Sequence, residues 1–296
     1  MLAGGPGALI TGQGSVQVIQ SYWFVKSETL GKVSIGLQSQ ASDNTAILVD
    51  GSGSLVAANW VAFDTRGFFI RNTDGTLSGH QWGVDVGGCA GMGGAWGDCN
   101  GLTQNAVRYD SPTFGGFSVS ASWGADDFWD IAARYAGEFS GIKVAAAAAY
   151  NEVSDANYNN LRNNGLVPGG LNNMNYFQVG AYAQHIATGL FGLVNYGTLD
   201  VDGALENTDT WYLKGGIRTR FTPLGATILY AEYLNNQDSA IVGDELEVWG
   251  LGAVQEIDAA AMSVWLKYRN LSYDDNMIGT DFEDFNYVGV GGLINF

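Results

Sequence analysis

Phe117-Ser118-Val119-Ser120-Ala121-Ser122-Trp123 alternates apolar and hydroxyl side chains without a break. On a strand, successive side chains point to opposite faces, so this run has one greasy face and one serine face. A helix would scatter the serines around its circumference. The period recurs downstream: Trp129, Ile131, Ala133 and Tyr135 oppose Asp130, Ala132 and Arg134. Trp211, Leu213, Ile217 and Phe221 oppose Lys214, Arg218 and Arg220, and Met262, Val264, Leu266 and Tyr268 oppose Ser263, Lys267 and Arg269. Alternation or β-rich composition marks thirteen strands, at about 16–25, 32–40, 105–111, 115–124, 128–137, 141–152, 174–186, 188–199, 208–221, 224–236, 245–257, 260–272 and 282–296.

Composition agrees. The 296 residues carry 43 Gly but 4 Pro, 12% aromatics and 15% charged side chains, a strand-rich profile with many turns. Mean hydropathy is near zero, which excludes a bundle of apolar membrane helices. Alternating lipid-facing and lumen-facing residues would cancel to that average. Thirty acidic against 13 basic residues give a charge of −17, which argues against nucleic acid as a partner.

The connections fall into two classes. Very short ones (27–31, 111–115, 137–141, 187, 222–223, 258–259) alternate with mostly longer ones (41–104, 153–173, 200–207, 237–244, 273–281), and only 125–127 breaks the rule. An antiparallel up-and-down meander with tight turns at one rim and loops at the other has this asymmetry. A soluble sandwich is the rival, with a polar outer face and an apolar core. Eight bases, Arg108, Arg134, Lys143, Lys214, Arg218, Arg220, Lys267 and Arg269, lie in strands in phase with the polar face, while acids concentrate in the long connections.

The connection 41–104 is far longer than loops in compact domains normally are. Its aromatic and aliphatic content is too high for a solvated tail. Cys89 and Cys99 stand ten apart within it, without a nearby His to complete a zinc site; a loop-stapling disulfide in an oxidising compartment and two free thiols both fit. Val49-Asp50-Gly51-Ser52-Gly53 lacks the Lys and following helix of a phosphate loop. Met1 to Gly7 lacks the basic start and apolar run of a secretory signal.

Several stretches resemble the general porins of alphaproteobacterial outer membranes. They are Glu28-Thr29-Leu30-Gly31-Lys32-Val33-Ser34-Ile35-Gly36 with Gln38 to Asn44, Asn105-Ala106-Val107-Arg108-Tyr109-Asp110-Ser111-Pro112, Phe128 to Phe139, and the closing Tyr287 to Phe296 with its terminal aromatic. The resemblance implies an all-β transmembrane barrel, usually of sixteen strands and usually trimeric. Counted back from Phe296, the thirteen strands become the fourth to the sixteenth. The connection 41–104 then takes the place of the inward-folded, pore-constricting loop. The first three strands and the signal peptide are expected to be missing from the chain as written.

The expected function is passive diffusion of small hydrophilic solutes and ions through a water-filled channel in the outer membrane of a Gram-negative bacterium. A non-conducting barrel or a β-rich binding protein of the envelope is the alternative. By the same resemblance, carboxylates on the loop face basic residues on the wall and set up a transverse field. The acidic candidates are Asp43, Asp50, Asp64, Asp74 and Asp85; the basic ones are Arg108, Arg134, Arg218, Arg220 and Lys267. Trp23, Trp129, Tyr135, Trp211 and Phe296 are expected in girdles at the membrane interfaces. Asp274, Asp275 and Asp281 could bind calcium or bridge to lipopolysaccharide, although a solvated acidic loop explains them as well. No cofactor is required. His80 and His185 are the only histidines, and neither has the Ser and acid neighbours of a hydrolase, so no enzymatic activity is expected.

Overall fold

The computed structural model describes residues 18, 20–58, 61–83, 86–87, 103–124, 128–154, 173–202, 204–275 and 281–296. Its strands are β1 (Ser21–Ser27), β2 (Gly31–Gln38), β3 (Phe69–Arg71), β4 (Leu77–Gln81), β5 (Gln104–Asp110), β6 (Phe117–Gly124), β7 (Trp129–Phe139), β8 (Ile142–Ser154), β9 (Asn173–His185), β10 (Leu190–Val201), β11 (Thr208–Thr222), β12 (Gly225–Gln237), β13 (Asp244–Ile257), β14 (Met262–Asp275) and β15 (Phe285–Ile294). Thirteen form one antiparallel sheet in chain order, from β1 and β2 through β5 to β15. β3 and β4 make a separate hairpin inside the long connection. That hairpin escapes the sequence pattern because its strands have 3 and 5 residues, too few for a period to show. The first strand starts later than its expected position, at Ser21.

Turn chemistry fixes the short rim. Between β7 and β8, Ser140 and Gly141 take φ of 50° and 78°, the left-handed pair of a two-residue hairpin whose twist matches the flanking strands. Among the described residues, β1 and β15 each pair with one neighbour and not with each other, so the sheet is open along one seam.

The two faces invert the soluble pattern. On β6, Phe117 and Trp123 are 61% and 62% exposed, whereas Ser120 and Ser122 are each 5% exposed. A sandwich would show the reverse, because its apolar residues would face the partner sheet. Here the greasy face is bare along the whole sheet, with Leu213, Leu229, Trp249, Leu251, Leu266, Val288 and Val290 all exposed on it. An apolar surface of that extent is tolerated only against lipid or a partner. Aromatic pairs lie across it, including Trp129–Tyr150 and Tyr196–Trp211, with centroids 5.4 and 4.5 Å apart. Near the short turns Phe117 and Tyr135 meet at 4.5 Å. Trp23, Trp129 and Trp211 are exposed and Tyr135 is partly so.

On the inner face, large rings lie over glycines of the next strand. Tyr230 pairs with Gly252 and Trp265 with Gly291. A Cβ at those glycines would stand 2.2 and 2.3 Å from the ring atoms, so part of the high glycine content is room for aromatic side chains folded flat against the wall.

Candidate functional site

The described part of the connection between β2 and β5 follows the inner face around the sheet, strand by strand. It begins in polar contacts. Arg108 on β5 donates to the carbonyls of Ser39 and Gln40 at 3.2 and 2.9 Å. The amide of Ala41 donates to Ser122 Oγ, 3.1 Å, and that of Ser42 to the Asp130 carboxylate, 2.6 Å. Arg134 Nη2 donates to the Ala41 carbonyl at 2.6 Å and to Thr45 Oγ1 at 2.9 Å. Gln178 on β9 accepts from the Ala46 amide at 2.8 Å and donates to the Ser42 carbonyl at 2.9 Å. Buried peptide groups in this stretch thus find partners on the wall, beside bonds within the loop such as Thr45 N to the Ser42 carbonyl.

A 3-10 turn at Ile47–Val49 and two single-turn helices, α1 (Leu55–Ala58) and α2 (Val61–Asp64), carry the chain onward. Beneath them the wall turns apolar. Val49, Ala57, Ala58, Val61, Ile70, Trp82 and Val86 of the connection pack with Tyr182, Phe191, Leu193, Ile228, Tyr230, Leu234 and Val248.

Two ionic anchors sit in this apolar bed. Lys214 pairs with Asp50, with neither side chain exposed, and also donates to Ser54 Oγ at 3.0 Å. Arg269 is gripped by Glu232 at 2.7 Å and by Asp64 at 2.8 Å. Lys267 also pairs with Asp64, and the Tyr287 hydroxyl donates to it at 2.9 Å. Arg269 further donates to the Ala58 carbonyl, and Lys267 to that of Ala57 at 2.8 Å. Three cations face three carboxylates, so the group is neutral as a whole.

Register assembles it: Lys214 is opposite Glu232, Glu232 opposite Gly250, and Gly250 opposite Arg269. A Cβ on Gly250 would stand 2.7 Å from Glu232 Oε1 and 2.9 Å from Arg269 Cγ. The glycine is the gap through which the arginine reaches its carboxylate.

The expected residues distribute as follows. Asp50 and Asp64 lie on the loop against bases, but the bases belong to the wall directly beneath them. Their charge is spent in contact and does not face a base across a gap. Asp43 is partly buried next to the Arg134 anchor. Asp74 is in the β3–β4 turn, where Thr76 Oγ1 and its amide donate to it at 2.6 and 2.9 Å; these bonds hold its pKa below the ordinary carboxylate value. Asp85, Cys89 and Cys99 lie outside the described residues.

Among the bases, Lys267 reaches a loop carboxylate, while Arg108 and Arg134 hold loop backbone. Arg108 also pairs with Asp110 at 2.7 Å. Arg218 binds Glu256 through both nitrogens at 2.7 and 2.8 Å, and donates to the Ser52 carbonyl at 3.0 Å. Arg220 pairs at the rim with Asp258, 2.5 Å.

Two of the three calcium candidates lie on a strand. β14 runs on through Asp275, which sends the neighbouring carboxylates of Asp274 and Asp275 to opposite faces, the first exposed and the second buried. The Asp281 carbonyl accepts from the Thr73 amide. Among the described residues no group of three His, Cys, Asp or Glu could hold a metal ion. His185 Nδ1 is 2.8 Å from Thr188 Oγ1 in the β9–β10 turn, and His80 sits beside Tyr273.

Sequence reasoning missed Glu232, Asp130, Gln178, Lys214 and Arg269 as site residues. The signal was a charged or amide side chain in the inward phase of a strand, but its partner is set by register, which one strand does not carry.

A family model of Gram-negative porins matches residues 7–293. No curated protein matches the sequence. Three solved structures illustrate the likeness of fold. OmpF of Salmonella typhi, in complex with daunomycin, has a TM-score of 0.55 at 14% identity, over 94% of this chain and 78% of its own. The trimer form of Vibrio cholerae OmpT has 0.53 at 15%, over 96% and 82%. An anion-selective porin from Comamonas acidovorans has 0.52 at 15%, over 92% and 76%. With a bare greasy face outside, a loop lining the polar face inside and a family match over nearly the whole chain, the protein belongs to the Gram-negative porin family, outer-membrane β-barrels that form channels for passive diffusion of small hydrophilic solutes.

Proposed function

We propose that residues 41–104 form the narrowest section of this channel, and that the narrowing is steric more than electrostatic. The observation that carries the reading is the anchoring of Asp50 and Asp64 to Lys214, Lys267 and Arg269 beneath them. Carboxylates paired in contact contribute a small field at a distance, because the opposite charges lie within an ion-pair length of each other. The loop then acts as a lining that takes up cross-section. The channel works without catalysis, its solutes crossing in water. The trimer form of the Vibrio structure supports assembly of three copies, and the exposed apolar face supports contact with bilayer lipid and lipopolysaccharide. The motifs around Arg108 and the final strand support an alphaproteobacterial type of porin.

Flux of uncharged sugars of rising size into liposomes tests the reading, with native protein and with Lys214→Met. The variant leaves Asp50 without its partner and should loosen the loop, raising the size cut-off. Hydrogen exchange at residues 47–58 reports whether the loop has loosened. An unchanged cut-off with a loosened loop would remove the loop from the constriction. Absence of flux through the native protein would leave a non-conducting barrel.

A further inference from the structure

Below the loop, on the short-turn side, five inward-facing side chains surround a depression of about 280 Å³: Lys143, Gln184, Arg218, Arg220 and Glu256, with Ile186 and Ala226 supplying an apolar edge. Lys143 adjoins the Ser140-Gly141 turn and Arg220 the turn after β11, so the depression opens at the mouth of the lumen. Arg218 joins it to the loop through the Ser52 carbonyl. Glu256 is taken up by Arg218, and Asp258 by Arg220. Lys143 has no ion-pair or hydrogen-bond partner among the described residues. Glu138 stands opposite it in the β7–β8 register, but the lysine lines the depression beside Gln184.

Of the five N–H donors on each guanidinium, Arg220 commits one nitrogen to Asp258 and is 63% exposed. Three cations against the two carboxylates that pair with them leave one positive charge and several unused donors facing open space. In a chain of net charge −17, such a place is set apart from the average surface.

We propose that this depression is a subsite for a small oxyanion, a phosphate or carboxylate group, which dwells at the short-turn mouth beside the loop. Lys143 supplies the point charge, Arg218 and Arg220 supply planar donors, and the Gln184 amide supplies a neutral one. A short apolar tail on the anion would rest against Ile186 and Ala226. The proposal rests on the channel reading and adds a class of solute to it.

The test is current through native protein in a planar bilayer in potassium chloride, titrated with inorganic phosphate and, in a separate arm, with acetate, at constant ionic strength. A saturable fall in chloride current is expected. Lys143→Gln should raise the half-blocking concentration about tenfold, the weight of one charge-assisted hydrogen bond, while uncharged-sugar flux stays at the native value. Saturation with acetate as well as phosphate supports the oxyanion class, and saturation with phosphate alone overturns its carboxylate half. Current that never saturates, or an identical block in Lys143→Gln, overturns the subsite while intact sugar flux leaves the channel standing. Absence of both current and flux in the native protein would overturn the channel reading itself.

Discussion

The two halves of the inserted connection are held to the same wall by different means. Residues 39–46 lie on β5 to β9 through hydrogen bonds in which backbone amides donate to Ser122, Asp130 and Gln178 and a backbone carbonyl accepts from Arg134. The described residues between 47 and 86 lie on β9 to β15 on an apolar bed pinned by ion pairs that are buried or nearly so. The first half has little side-chain bulk to bury, so its peptide groups themselves must be satisfied. The second half excludes water with Ile70, Trp82 and Val86, and in that setting a charge is tolerable only beside its opposite. Fastening by many hydrogen bonds to backbone, shared among several wall residues, is tolerant of single losses. Fastening by a few buried charges is not, because removing one partner strands the other.

The largest test of this contrast is Arg269→Met. It strands the buried Glu232 and takes one of two cations from Asp64, at a cost of about 3–5 kcal/mol. Local opening of residues 55–64 should become easier by about a hundredfold or more, read as lost hydrogen-exchange protection with the barrel strands still protected. Native protection in the variant would break the contrast. Gly250→Ala follows, since its methyl group would intrude between Glu232 and Arg269. The expected cost is about 1–3 kcal/mol, seen as loosening of the same segment without any change in charge. Should loop protection survive, the register row is not what holds the arginine.

In the polar half, Asp130→Asn keeps the shape but removes the charge that accepts from Ser42 N and Ser122. A loss of about 1–2 kcal/mol is expected, or roughly tenfold in exchange at residues 41–46, with residues 55–64 unaffected. Coupled loosening of both stretches would show the halves to be one unit. Smallest of all is Asp74→Asn. This carboxylate is fully exposed in the β3–β4 turn and bonds only to Thr76, so conductance and loop protection should match the native protein. A measurable change in ion selectivity would restore Asp74 to the pore.

Much of the fold was legible because a barrel strand writes its orientation in its own sequence. The run from Phe117 to Trp123 declares both faces of β6, and the inward phase of Lys214, Arg218, Lys267 and Arg269 follows from their greasy neighbours alone. The site was less legible. Asp50 and Asp64 were visible as loop acids and Lys267 as a wall base, yet nothing in the sequence near Lys214 names Asp50, 164 residues away. Glu232 and Gly250 meet Arg269 only through the register of two hairpins. Asp274 and Asp275 were expected in a loop and lie on a strand, because β14 continues through Asp275.

The sequence by itself determined that the chain alternates, that its turns gather at one rim, and that its strand-borne bases share a face. Those properties depend on neighbours one or two residues away. Only the tertiary structure decided that the described part of the loop follows the wall, that Asp50 and Asp64 are neutralised where they lie, and that Lys143 has no partner among the described residues. Those outcomes depend on which strands stand side by side, and pairing energies between distant residues are written in no single stretch of chain.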